Sequence, residues 1–105
     1  MIMKNTKIDP NDIDEVVVGN AFPEGESGFN MGRLISLMTM DNVDVPGSTV
    51  NRYCASGLET IAIASAKISA GLADMVLAGG AETMSMISMG GWRQVPNPTI
   101  AKDHP

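Results

Sequence analysis

Aromatic side chains are scarce in this sequence: two Phe, one Tyr and one Trp, 4% of 105 residues. A core must therefore be built from Val, Ile, Leu, Ala and the nine methionines, which fill irregular space adaptably. Cysteine is scarcer still. A single Cys54 excludes an intramolecular disulfide and a cysteine-rich zinc site, and with one histidine no metal is expected. A lone thiol fits a reducing compartment, so a cytoplasmic location is expected. Runs of like charge are missing, and the balance is acidic, with a formal net charge of −5. Nucleic acid is disfavoured as a partner, because phosphate binding draws on Lys and Arg. No apolar run reaches membrane length, and "MIMKNTKIDP" lacks the apolar segment of a secretion signal. The length suits one small domain and is too short for two.

What is present reads as alternating strands and helices. "MIMKNTKI" suits the last turns of a helix, and "DPNDID" is turn chemistry. Val16–Val18, closed by Gly19, is a short apolar run suited to a strand buried on both faces. After the Gly-rich "PEGESGFN", a helix capped by Ser27 is expected, with Met31, Leu34, Ile35 and Met38 at helical spacing and Leu37 widening the stripe. Pro46 and Gly47 punctuate before "STVN", the second strand. From Cys54 to Ala70 runs the clearest helix. Leu58, Ile61, Ala62, Ser65 and Ile68 mark one face, and the other sides are apolar too, which predicts burial. Gly71 sits where a left-handed C-terminal residue belongs, and "ADMVLAGG" is the third strand. Strand–helix–strand–helix–strand implies an α/β fold with a parallel, layered sheet and right-handed crossovers. Beyond Met89, "GGWRQVPNPTIAKDHP" is expected to be loop.

Cys54 falls at the joint between the second strand and the long helix, within "STVNRYCASG". A sharp turn there exposes a side chain at the C-terminal edge of the sheet, the device of a nucleophile elbow. Free N–H groups of the helix's first turn point to the same place and favour negative charge, on a thiolate or on an oxyanion. Small neighbours leave room for a substrate, and Gly57 is expected to ease the tight start of the helix. Against this stands the ordinary role of a lone cysteine as a small buried hydrophobe.

The segment "VNRYCASGLETIAIASAKISAGLADMVLAGGAETMSMISM" resembles the active-site segment of a thiolase. The pattern is Asn51-Arg52-x-Cys54-x-Ser56-Gly57-Leu58, then Ala70-Gly71, Ala73-Asp74 and Gly79-Gly80-x-Glu82-x-Met84-Ser85. "IDPNDIDEVVVGNAF" is similar as well, so the resemblance runs from about Ile8 to Met89. It implies a partial thiolase N-terminal domain over residues 1–89, with 90–105 starting the loop domain. "WRQVPNPTI" is similar to the degradative, long-chain-accepting branch there. Cys54 would be the catalytic residue, attacking an acyl-CoA or 3-ketoacyl-CoA carbonyl and carrying the acyl group, with its backbone N–H in the oxyanion hole. Gly79, Gly80 and Glu82 would shape the pocket. No cofactor is implied beyond the coenzyme A thioester as substrate, and the family implies a homo-oligomer with Ser48–Asn51 near the subunit interface.

The resemblance also implies absences. The family's catalytic histidine, second cysteine, asparagine-bearing motif and opening strand have no match here. The chain is thus expected to be an incomplete domain without turnover of its own. His104 reads as an exposed loop residue, Asp74 as a turn residue before a strand, and Glu82 as a structural hydrogen-bonding group. Met84, Met86 and Met89 read as core or interface filling rather than an acyl pocket. Two alternatives stand beside the acyltransferase: a non-catalytic remnant that associates with itself or a thiolase subunit, and a ketoacyl synthase fragment.

Overall fold

Strand β1 (Glu15–Gly19) forms because Val16, Val17 and Val18 are β-branched and have apolar partners on both sides. In the computed structural model, which describes residues 2–40 and 42–104, all three are buried, Val17 completely. Full burial of each such side chain contributes about 1.5–3 kcal/mol over exposure. β1 is the centre of a three-stranded parallel sheet in the order β2-β1-β3, with β2 at Gly47–Val50 and β3 at Val76–Gly80. Val16 lies opposite Gly47 and Leu77, and Gly19 opposite Val50 and Gly80. All three strands therefore end on one edge.

Two helices cover the sheet. Helix α2 (Met31–Thr39) follows the short α1 (Ile2–Thr6) and packs on β1 and β2. The core on its side comprises Ile13, Val16, Val18, Met40 and Val45, with Met31 and Ile35 packed against it. Helix α3 (Ser56–Ser69) packs on β1 and β3 and ends as expected, with Gly71 at φ +72°. The Gly71 N–H donates to Ile68 and the Leu72 N–H to Lys67, the paired bonds of a Schellman motif. Lys67 turns inward to pair with Glu15, which also accepts from Ser48 Oγ at 3.1 Å.

Several expectations are corrected. α2 starts at Met31, not Ser27, because Ser27 lies in a 3-10 turn and Phe29 adopts φ +62°. Asn30 caps the helix instead: its Oδ1 accepts from Arg33 N at 3.1 Å and its Nδ2 donates to the Gly47 carbonyl at 2.8 Å. The helix ends at Thr39, and Gly47 opens β2 rather than ending the helix. Leu34, Leu37 and Met38 are exposed, while Gly32 and Ser36 are buried. The same inversion holds on α3. Its buried residues are Ser56, Thr60 and Ala64, whereas Leu58 is 72% and Ile61 55% exposed. α3 begins at Ser56, so Cys54 precedes it. Residues 98–103 form a short helix, α4 (Pro98–Asp103), where loop was expected; Asn97 Oδ1 caps it by accepting from Thr99 and Ile100 N–H. Met1 and Asp41, within the expected N-terminal helix and the turn after α2, lie outside the described residues.

Asp14 ties the starts of β1 and β3 together. Its Oδ2 accepts from the Met75 N–H at 3.0 Å and the Asp74 N–H at 2.7 Å, and these bonds hold its carboxyl below the usual Asp range. A lowered folded-state value means that the stabilisation is present above the ordinary Asp pKa and is lost as pH falls through the lowered one. Melting temperature measured against pH should therefore drop below about pH 4 partly through Asp14, and Asp14→Asn should flatten that part of the curve. An unchanged acid limb in the variant would remove Asp14 from the account.

Candidate active site

Residues Asn51–Ala55 connect β2 to α3 in a turn held by its own polar groups, by Ser56 at the start of α3 and by a bond from Asn51 to the Ala21 carbonyl. Asn51 Oδ1 accepts the Tyr53 N–H at 2.9 Å. Ser56 Oγ accepts the Arg52 N–H at 2.9 Å and donates to the Tyr53 carbonyl at 2.6 Å. The Ala55 N–H donates to the Arg52 carbonyl. These bonds hold Tyr53 at φ +50°, a left-handed conformation that costs a non-glycine residue about 1–2 kcal/mol. The strain sits one residue before the thiol. Gly57, by contrast, has no need of glycine's conformational freedom, and a Cβ on it would meet open space. The structural reason for its being small is the cleft it lines.

That cleft, about 360 Å3, opens at the C-terminal ends of the strands. Gly19 ends β1, Gly80 ends β3, and both line it with Gly57, Cys54, Tyr53 and Met84. Cys54 is a free, exposed cysteine, not a buried one. Among the described residues the N–H groups of Cys54 and Gly57 have no acceptor, so they remain available to a negative atom in the cleft. The arrangement puts a thiol, uncommitted peptide donors and an apolar wall in one place. A neighbouring cleft of about 390 Å3 shares Ala21, Phe22 and Tyr53 and continues past Asn51 to Met89. A smaller apolar cavity of about 150 Å3 between Ile35 and β3 holds no ionisable or nucleophilic group and is a packing space.

Glu82 is itself part of the cleft's lining. Its Oε2 accepts from the Ala21 N–H at 2.8 Å, and its Oε1 from the Phe22 N–H at 3.1 Å and Asn20 Nδ2 at 3.2 Å. Asn20, fully buried, also donates from Nδ2 to the Ala81 carbonyl at 2.8 Å. Glu82 thus fastens the loop after β1 to the loop after β3, the hydrogen-bonding role expected of it. Asp74 precedes β3, at the opposite edge of the sheet from Cys54, and cannot serve this cleft. His104 is exposed at the end of α4 and does not line the cleft. Met84 was expected to fill a core or interface and instead lines the cleft; Met86 and Met89 are exposed. Arg52 pairs with Glu59 at 2.8 Å on the solvent side, which raises the guanidinium pKa further.

A strand-end cysteine feeding a helix, with Glu82 clamping the loops beside it, is a specific arrangement to compare with known proteins. The family model described as "Thiolase, N-terminal domain" matches residues 1–102. The chain belongs to the thiolase family. Among relatives, a 3-ketoacyl-CoA thiolase of Bacillus subtilis is 46% identical over 93 residues, 89% of this chain and 24% of the relative. A beta-ketoadipyl-CoA thiolase of Acinetobacter baylyi is 41% identical over 85 residues, 81% of this chain and 21% of the relative. In three dimensions, an acetyl-CoA acetyltransferase of Bacillus anthracis superposes with a TM-score of 0.72 at 32% identity, covering 79% of this chain and 21% of that one. A thiolase of Ascaris suum in complex with coenzyme A gives 0.75 at 28% identity, covering 87% and 26%. The chain thus spans about a quarter of the length of the thiolases it matches.

Asn51 was noted in the sequence only as part of a motif, although an Asn two residues before a residue that needs a turn is a readable signal. Tyr53 carried no signal at all, since left-handed backbone is atypical for a bulky residue.

Proposed function

We propose that Cys54 is the nucleophile of a thiolase-type acyl transfer. Its sulfur adds to the carbonyl carbon of an acyl-CoA or 3-ketoacyl-CoA, and the developing oxyanion accepts from the Cys54 N–H. The carbon–sulfur bond then breaks to release coenzyme A, or the carbon–carbon bond to release acetyl-CoA. The leaving group takes up the proton that the Cys54 thiol gives up, and an acyl thioester remains on Cys54. The observation that carries this reading is the free, exposed thiol in a cleft at the start of α3, beside unused N–H donors. The names of the relatives support coenzyme A thioesters as the substrates. Release of the acyl group needs a second thiol or another acid/base group. Cys54 is the only cysteine among these 105 residues and His104 stands apart, so the chain by itself stops at the acylated state.

In the same reading, residues 90–105 begin a loop domain, the protein is cytoplasmic, and it works as an oligomer. No helix among the described residues is long and apolar enough to cross a membrane. The exposed Leu58, Ile61 and Leu72 and the two unpaired sheet edges favour association with another thiolase segment, which is the second reading if catalysis fails.

One preparation separates the two. Incubated with acetyl-CoA, the chain should gain one acetyl group on Cys54 by peptide mass spectrometry, and Cys54→Ser should abolish the adduct. No acylation of a Cys54 that alkylates normally, with a dimer or larger species by sedimentation, would replace the acyltransferase with the associating remnant. Acylation from acyl carrier protein but not from coenzyme A would point to a ketoacyl synthase.

A further inference from the structure

We infer that Asn51, fixed by Glu82 through a single peptide unit, is the positioning residue for the Cys54 turn; this rests on the reading of Cys54 as the acylated thiol. The three loops at the site come from the ends of three different strands. Among the described residues, Asn51 supplies the hydrogen bond that joins the nucleophile turn to the loop after β1, and Glu82 ties that loop to the one after β3. Its Nδ2 donates to the Ala21 carbonyl at 3.1 Å, while its Oδ1 accepts the Tyr53 N–H at 2.9 Å. The Ala21 carbonyl belongs to the same peptide unit as the Phe22 N–H, and that N–H donates to Glu82 at 3.1 Å.

A carboxylate on the N–H end of a peptide makes its carbonyl a stronger acceptor, because hydrogen bonds in series polarise one another. The negative charge of Glu82 thereby tightens the Ala21–Asn51 bond without touching Asn51. With both ends of the amide engaged, Asn51 keeps the Tyr53 N–H in its turn and Tyr53 in its left-handed conformation. Cys54 is the next residue. Neither Asn51 nor Glu82 has to contact a substrate for this, so both act through the turn.

Because Cys54 is the only thiol, the rate of alkylation by iodoacetamide reports on it alone. In the full 105-residue chain, Asn51→Ala should slow alkylation at neutral pH roughly two- to fivefold, the scale of losing alignment with a helix N-terminus. Asn51→Ser should recover part of the rate, because a serine oxygen accepts from the N–H two residues on. Glu82→Gln should slow it by about twofold, and should have no further effect once Asn51 is alanine. That non-additivity is the signature of action through Asn51. A residue that merely stabilised the fold would lower the melting temperature and leave the rate of the folded chain unchanged.

Circular dichroism establishes that each variant is folded; if Asn51→Ala is not, Asn51→Ser against the parent carries the comparison, with a smaller slowing expected. An unchanged rate in the folded Asn51 variant overturns the inference. Independent, multiplicative effects of the two substitutions overturn the part assigned to Glu82. Failure of the acyl-transfer reading shows differently: alkylation would still follow this pattern while acetyl-CoA left Cys54 unmodified.

Discussion

Replacing Gly32 by alanine should destabilise the chain by about 3 kcal/mol or more, at the upper end for overpacking. Gly32 sits in the first turn of α2, where the helix backbone crosses directly over β2. A Cβ there would overlap the carbonyl oxygen of Ser48 and stand 2.6 Å from its carbonyl carbon and 2.9 Å from its N. All three are backbone atoms, so no side chain can rotate away. Gly47 is the reciprocal contact, its Cβ falling on the Gly32 backbone. Relief would require α2 to lift from the sheet. That would break the Gly32 N–H bond to Thr49 Oγ1 at 3.0 Å and the bonds of Asn30 to Thr49 and Gly47. For a domain of this size each kcal/mol shifts the melting temperature by about 4–8 °C. A thermal melt should therefore fall by more than about 12 °C, or show no cooperative transition. A melt within a few degrees of the parent would mean that α2 does not pack as described.

These glycine contacts explain which parts of the fold were legible in the sequence. β1 was readable because its burial and its β-branched residues agree: Val16, Val17 and Val18 are both apolar and covered. The stop of α3 was readable because a left-handed residue after a helix nearly demands glycine. The faces of the long helices were legible only in part: Met31 and Ile35 of α2 belong to the expected stripe and pack on the core, and the rest do not. On α2 and α3 the closest approaches to the sheet are made by small residues, since the backbones come too near for larger ones, while Leu34, Leu37, Met38, Leu58 and Ile61 point outward. Ranking positions by hydrophobic size therefore selected Leu58 and Ile61 and passed over Ser56, Thr60 and Ala64. The start of α2 was missed for a related reason. Ser27 and Asn30 are equally good caps locally, and the choice is made by bonds from Asn30 to β2, 17 residues or more away in the chain.

At the site, the thiol's place at the strand–helix joint was legible, whereas the device that holds it was not. The sequence suggested glycine flexibility at Gly57. The turn relies instead on a strained Tyr53 and on polar groups from three loops. Loops at a common sheet edge meet only after the parallel register is set, so no short window contains Asn51, Ala21 and Glu82 together. Their separations, 30 and 61 residues, are what a parallel sheet with helical crossovers converts into contact.

Gly19→Ala is expected to damage stability and the site together. Gly19 ends β1 against the first turn of α3: its Cβ would come within 2.6 Å of the Ser56 carbonyl carbon and 2.8 Å of the Gly57 N. Again the obstacles are backbone, and the substitution should cost about 2–3 kcal/mol. The piece that must yield is the start of α3, which carries Ser56 and, through it, the bonds that close the Cys54 turn. Alkylation of Cys54 in the folded variant should therefore change along with the melting temperature. Gly57→Ala supplies the contrast. It lies in the same turn but faces open space, so its stability should match the parent or exceed it by up to about 1 kcal/mol from helix propensity. The added methyl would project into the cleft, leaving alkylation by a small reagent intact while slowing acylation by acetyl-CoA. Gly19→Ala with a normal melt and normal Cys54 reactivity would show that the β1–α3 contact does not set the turn. Equal losses of stability in both variants would show that helix packing, rather than the direction each Cβ takes, governs this end of α3.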